Sequence, residues 1–366
     1  MGEKRISLKD FLTRLKSSKK PLEEVDKIVE NENLAALIRR KYLEEKLGLS
    51  LSATGSSILD FVELEGKISY KPIGAIQVPV TVIGPIRIEG TWIRAEKLFP
   101  LASIYPALMR SVELGAKLLE DTRIRIKINR CWLRIFTIST PEKRVDLCNI
   151  IENKLLATET YSDLRIICYG RGAGHIINTV MIGDQKPCIR LLDLIESNIF
   201  KEILLETQGS LIPIITPYIV FDMNASTDIS KNKIEELGIK YSMFMESYNT
   251  IEDLKPIDNS LLPVILGVLT SFYLSIGLKP EYALRSEVKQ YMVSTRFRRV
   301  NINVNPRIIL PVYFTYDEMT LMNKEIFNIL QINEPKPNYL AELIASLLLV
   351  SYIGLLGDIA RNASQL

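Results

Sequence analysis

The chain has 366 residues, 47% hydrophobic and 24% charged, which supplies a large buried core and excludes intrinsic disorder. Lys and Arg number 46 against 43 Asp and Glu, so a net charge of +3 does not mark a nucleic-acid binder, and any basic surface must be local. The single histidine, His175, excludes a histidine-rich metal centre and leaves one imidazole for proton transfer near neutral pH.

The N-terminal sequence MGEKRISLKDFLTRLK lacks the apolar run of a secretory signal, so we expect a cytoplasmic protein. The first fifty residues read as helices. Pro21 opens Leu22 to Val29, and Asn33 caps a second helix whose apolar side carries Leu34, Leu37, Ile38, Tyr42 and Leu47, stopped at Gly48. From Ile73 to Gly90 the β-branched sequence IGAIQVPVTVIGPIRIEG predicts extended segments with turns at Gly84-Pro85 and Glu89-Gly90. A helix is expected over Leu101 to Leu119, with Pro106 in its first turn.

Strict alternation follows in Arg123 to Ile128. The basic residues Arg123, Arg125 and Lys127 share one face and three isoleucines the other, the pattern of a half-buried strand. Helices at Glu142 to Leu156 and Leu192 to Glu206, with strands near Leu164 to Tyr169, Ile176 to Ile182 and Ile212 to Phe221, complete a β-α-β-β-α-β order. That order predicts a ferredoxin-like module over 123–222, inserted into a larger domain. Beyond it we expect helices at Ser230 to Glu236, Leu261 to Ile276, Pro280 to Tyr291, Met319 to Leu330 and Asn338 to Ala360, with a strand at Arg299 to Val304. The uncharged runs Leu261 to Leu278 and Leu343 to Leu356 read as buried helices, so no membrane span is expected.

Cys131, Cys148, Cys168 and Cys188 contain no C-x-x-C pair, which argues against zinc, iron–sulfur and thioredoxin-like sites and leaves free, buried thiols as the expectation. Gly170 to Gly174 is glycine-rich but lies between two strands, so it reads as a hairpin turn rather than a phosphate loop opening a helix, and the adjacent His175 reads as structural. The basic residues Arg123, Arg125, Lys127, Arg130 and Arg134, and the separate Arg296, Arg298 and Arg299, admit three readings: solvated faces or intersubunit salt bridges, an anionic small molecule, or nucleic acid. Only Trp132 and Phe136 lie near the first cluster, which places nucleic acid last.

IGAIQVPVTVIGPIRIEG, followed by Phe99-Pro-Leu-Ala-Ser-Ile-Tyr-Pro-Ala-Leu-Met-Arg-Ser-Val-Glu-Leu-Gly115, resembles the 3-hydroxy-3-methylglutaryl-CoA (HMG-CoA) reductases. Their corresponding text is I-G-A-I-Q-V-P-L-G-V-A-G-P and V-P-L-A-T-T-E-G-A-L-V-A-S-V-N-R-G. Arg39 to Gly48 is similar to the preceding helix of archaeal members, and Gly277-Leu-Lys-Pro-Glu-Tyr-Ala-Leu-Arg-Ser286 to the family's G-Q-D-P-A-Q-N-V-E-S. The resemblance implies a mixed α/β (α+β) fold: an N-terminal helical region at 1–60, a large substrate-binding and dimerisation domain at 61–122 and 223–366, and the inserted small domain at 123–222.

In that family, reduction of a thioester by two hydride transfers uses a Glu, a Lys, an Asp and a late His. The resemblance sets Tyr105 at the Glu position, Ile229 at the Lys, Lys279 at the Asp and Ala363 at the His, with the chain ending short of the family's closing flap. All four catalytic groups are replaced. Arg123 matches an arginine that contacts the substrate carboxylate, and Asp228 the aspartate of the T-D-K-K-P motif. The cofactor turn D-A-M-G-M-N falls on Asp193 to Asn198, keeping Asp193 and Asn198 but not the glycine, and the glycine-rich G-T-V-G-G-G-T falls near Leu310 to Tyr316 among bulky side chains. The resemblance therefore implies a catalytically degenerate homologue acting by binding, as a homodimer or beside a related reductase, with NADP(H) and a CoA-type anion as the ligands to consider. Losing a group of acids and bases that act together removes most of a rate enhancement. A reductase with rebuilt chemistry, using Tyr105 and Lys279 as a proton-transfer pair, and a nucleic-acid binder are the alternatives.

Overall fold

The computed structural model describes residues 8–17, 25, 28–47, 62, 73–139, 147–161, 163–171, 176–184, 188–207, 217–254, 261–312 and 321–363. His175, Gly48 and the predicted helix start at Pro21 lie outside these residues. The chain divides into two compact units, Met1–Pro79 with Asp317–Thr320, and Val80–Tyr316 with Leu321–Leu366.

The first unit contains α1 (Leu8–Ser17) and α2 (Glu32–Leu47). Phe11, Leu12 and Leu15 of α1 pack with Ala35, Ile38 and Tyr42 of α2, and Lys16 pairs with Glu45 at 2.7 Å. The cap of α2 is Asn31, not Asn33: the Asn31 side-chain oxygen accepts the Leu34 N–H at 3.0 Å, three residues ahead as N-capping requires.

The second unit is built on one eight-stranded sheet: β1 (Val80–Glu89), β2 (Arg94–Ala102), β3 (Ile124–Ser139), β4 (Arg165–Arg171), β5 (Ile176–Asp184), β6 (Tyr218–Ser230), β7 (Glu287–Arg296) and β8 (Arg299–Pro311). Its main path runs β2-β1-β3-β6-β8-β7, with β5 and then β4 added on β3. Within 123–222 the order is β4-β5-β3-β6, all antiparallel, which is the split βαβ arrangement read from the sequence. These strands are continuous with the rest of the sheet, because β3 also pairs in parallel with β1 and β6 with β8.

The helices of this unit are α3 (Pro106–Leu118), α4 (Leu147–Leu156), α5 (Ile189–Glu196), α6 (Asn198–Thr207), α7 (Lys231–Glu236), α8 (Tyr241–Leu254), α9 (Leu261–Ser275), α10 (Pro280–Arg285), α11 (Leu321–Ile329) and α12 (Pro337–Ala363). Ile126 and Ile128 of β3, Met223 and Ala225 of β6, and Ile302 and Val304 of β8 form one buried face. α12 covers it while packing on α3, α8 and α9. Gly115 of α3 and Gly354 of α12 let the two backbones touch; a Cβ on either would fall inside contact distance of a main-chain oxygen of the other helix. α12 has the length and composition of a membrane span, but 83% of its apolar window is buried within the fold, and Leu261–Ser275 is a core helix as expected.

Several elements differ from the sequence reading. Gly84-Pro85 is a bulge inside β1 rather than a turn: Ile83 pairs with Phe99 and Ile86 with Lys97, with Gly84 at φ 118° and a Cβ there only 2.9 Å from the Lys97 oxygen. Residues 94–102 form β2, so the helix starts at Pro106 rather than Leu101, because Phe99 and Leu101 are buried against α9 in a hairpin. The helix expected over Pro280 to Tyr291 stops at Arg285. Ser286 there turns extended, its Oγ accepting the Ile309 N–H at 3.1 Å, and β7 follows. The Leu192 to Glu206 helix is two helices broken at Ser197, and α8 was not anticipated.

The expectation of free thiols is corrected. Cys131 on β3 and Cys188 at the start of α5, 57 residues apart, form a disulfide, Cys168 is also disulfide-bonded, and no free cysteine stands among the described residues. Spacing along the chain carries no signal for a pairing that the sheet creates.

Candidate functional site

The face of the sheet opposite α12 is polar. Arg125 and Lys127 of β3, Asp222, Asn224 and Asp228 of β6, and Asn301, Asn303, Asn305 and Arg307 of β8 all alternate away from the buried positions. Asn224 Nδ2 donates to both Asn303 and Asn305 at 2.8 Å, so side-chain amides tie the middle of this face together.

At one end, β3, β6 and β8 assemble the surviving residues of the resemblance. Asp228 accepts from Arg125 at 2.5 Å and from Asn301 at 2.9 Å. Burial alone would raise the carboxyl of Asp228, but the bonds from Asn301 and Arg125 outweigh it and hold it below the ordinary carboxylate value, ionised at neutral pH. Arg123 lies beside this pair, its carbonyl accepting from Thr227 Oγ1 at 3.0 Å and its guanidinium 3.3 Å from Glu89. Arg123 and Asp228 are therefore brought together, each already facing an opposite charge.

The replaced positions have different surroundings. Ile229 is fully buried on the packed face of β6, opposite Val300. Tyr105 stands 67% exposed at the N-cap of α3, Lys279 occupies the N-cap of α10, and Ala363 ends α12 in solvent. Asp193 and Asn198 lie on α5 and α6, exposed and away from Asp228; the backbone there is helical apart from Ser197, so no strand-to-helix turn offers amides to a phosphate at these residues.

The other end of the polar face holds a cavity of about 480 Å³ that includes Arg130, Trp132, Arg134, Arg165 and Arg307 in its lining. The Arg307 guanidinium lies 5.1 Å from the centre of the Trp132 ring and pairs with Asp222 at 2.9 Å. The buried Trp132 Nε1 and Arg134 Nε have no hydrogen-bond partner in the structure. Two buried donors without acceptors, among four guanidinium groups, are the donor set that phosphate or carboxylate oxygens satisfy. The cavity thus gathers the guanidinium groups of Arg130, Arg134, Arg165 and Arg307 around one space. Sequence reading named Arg130, Arg134 and Trp132 but missed Arg165 and Arg307, which distant strands deliver; the alternation through Arg299 to Arg307 is the signal that placed Arg307 on this face. Among the described residues no group of His, Cys, Asp and Glu could hold a metal.

Residues 35–131 match the family model described as hydroxymethylglutaryl-coenzyme A reductase. The 3-hydroxy-3-methylglutaryl-coenzyme A reductase of Aeropyrum pernix is 47% identical over 116 residues, 32% of this chain and 28% of that protein. The reductase of Pyrococcus abyssi is 33% identical over 138 residues, 34% of each chain. The chain thus aligns with only about a third of these relatives' length. Among solved structures, the reductase of Streptococcus pneumoniae superposes with a TM-score of 0.51 over 92% of this chain and 98% of that one, at 11% identity, a likeness of fold. A class II structure of the same organism's enzyme bound to NADPH gives 0.50 at 12% identity, over 91% and 98%. The sequence likeness to the hydroxymethylglutaryl-coenzyme A reductases thus covers about the first third of the chain, and the chain as a whole shares the fold of their solved structures.

Proposed function

We propose that this chain is a member of the family that has given up reductase chemistry and acts by binding, as a cytoplasmic homodimer or as the partner of a related reductase. One observation carries the reading: the position that the resemblance assigns to the catalytic lysine is Ile229, wholly inside the packed face of β6. The group is missing, and its position faces the core rather than a ligand. Supporting it, Arg123 and Arg125 are already paired with Glu89 and Asp228, which lowers their reach for a substrate carboxylate. The cavity around Trp132 supplies the ligand site, for a CoA-type or nucleotide anion held by its arginines; a nicotinamide nucleotide would bring its hydride chemistry and a CoA-type group its thioester, and the residues here would only bind and orient either one. Val80 and Val82 of β1 and Leu98 of β2, all exposed on the hairpin at the sheet edge, supply an apolar surface for assembly.

The purified chain, mixed with NADPH and HMG-CoA, should leave the NADPH absorbance unchanged; consumption at ordinary reductase rates would overturn the proposal. Ile229→Lys provides a second arm. A lysine there enters the core without a partner, so the variant should lose several kcal/mol of stability in urea melts and gain no turnover. A stable Ile229→Lys protein that reduces the thioester would show that the position faces a working site.

A further inference from the structure

Of the basic cluster at Arg296 to Arg299, only Arg299 bears on a site already described, through its charge beside Asp228. β7 ends at Arg296 and β8 begins at Arg299, directly opposite each other, so Phe297 and Arg298 alone make the turn. Both have positive φ, 49° and 59°. A two-residue turn of this hand suits the strand twist but favours Asn-Gly, and bulky residues there hold a conformation they rarely adopt. Strain of this sort persists where the surroundings enforce it, and it clusters at working sites. Here the Lys231 N–H donates to the Arg298 carbonyl at 2.9 Å, pinning the tip to the start of α7.

The strained turn presents Phe297, 86% exposed, with the Arg296 guanidinium 5.4 Å from its ring centre. Among the described residues, none of Arg296, Arg298 and Arg299 lies within ion-pair distance of a carboxylate, unlike Arg123, Arg125 and Arg307. A fixed hairpin thus holds out one exposed aromatic ring amid three guanidinium groups without an ion pair, of which Arg299 is near enough to Asp228 to help lower its carboxyl.

We propose that this tip docks single-stranded nucleic acid, a base stacking on the Phe297 face opposite Arg296 while Arg298 and Arg299 meet the flanking phosphates. Base stacking needs one ring and nearby cations. Insertion into a lipid surface needs a broader apolar patch, whereas Ser294, Thr295 and the arginines surround this ring with polar groups.

The test is fluorescence anisotropy of a labelled oligouridylate and an oligothymidylate with the full chain. Two phosphate contacts on a single strand predict a log–log salt slope of about −1.4, or a loss of roughly sevenfold between about 50 and 200 mM salt. Phe297→Ala should weaken binding by about tenfold. Phe297→Asn combined with Arg298→Gly installs the preferred turn pair, so it should melt no lower than wild type and still lose about tenfold or more in affinity. Absent binding, binding indifferent to salt, or binding that survives the turn exchange would overturn the proposal. So would co-sedimentation with phosphatidylserine vesicles by a protein that leaves the oligonucleotides unbound, which would assign the tip to a membrane.

Discussion

Asp222 illustrates how a side chain on the polar face acquires its properties. It sits on β6 between Arg307 at 2.9 Å and Lys289 at 2.9 Å. Burial alone would raise its carboxyl, but the two cations reverse the sign and hold it below its ordinary value of 3.8. A carboxyl lowered by folding contributes stability that is complete above its unfolded value and is lost as pH falls through its folded value. Urea melts of the wild type should therefore weaken as pH drops below about 4, while Asp222→Asn, already weaker by about 1–3 kcal/mol at neutral pH, should show a flatter acid limb. Parallel acid limbs in the two proteins would remove Asp222 from that account. Glu342 works in the opposite sense. Buried on α12, it accepts the N–H groups of Thr91, Trp92 and Ile93, yet burial raises its carboxyl, so its ionised form gains no stability from folding.

At the scale of elements, the disulfide between β3 and α5 is the clearest tie that periodicity could not reveal. Closing a 57-residue loop is worth roughly 4 kcal/mol by its effect on the unfolded chain. Reductant should lower the melting temperature measurably, and unreduced protein opened in denaturant should expose no thiol at Cys131 or Cys188; titratable thiols there would refute the pairing. Elements with a plain pattern were legible. Arg123 to Ile128 alternates because one side of β3 meets α12 and the other meets water, and Ser230 caps α7 by accepting the Lys233 N–H at 3.2 Å. Elements without such contrast were not. β2 has a burial pattern with a run of four buried residues at its end, so its period of two is hidden, and β7 is an edge strand whose residues are mostly exposed.

For the whole molecule, the sheet gathers charges from strands far apart in sequence into two ends of one face. Arg123 and Asp228 at one end could be anticipated from the resemblance and Arg125 from the strand alternation, whereas the pocket around Trp132 needed β8 to bring Arg307 beside β3. Assembly belongs to this scale as well. If the exposed β1–β2 surface joins two copies, light scattering should give about twice the 41.6 kDa chain mass. A monomeric mass would transfer that surface to a different chain, and a monomer that also fails to bind a related reductase would end the assembly reading.

The sequence by itself determined the likeness to the reductases, through the segment 35–131, and the nature of the substituted positions, because side-chain identity is a property of the chain alone. It also determined the β-α-β-β-α-β order of 123–222, since local periodicity records which face of each element meets the core. Only the tertiary structure decided that Ile229 points inward, that Cys131 meets Cys188, and that Phe297 stands exposed beside the Arg296 guanidinium. Those facts depend on strand register and on contacts between residues far apart in sequence, which packing sets and which no local pattern encodes.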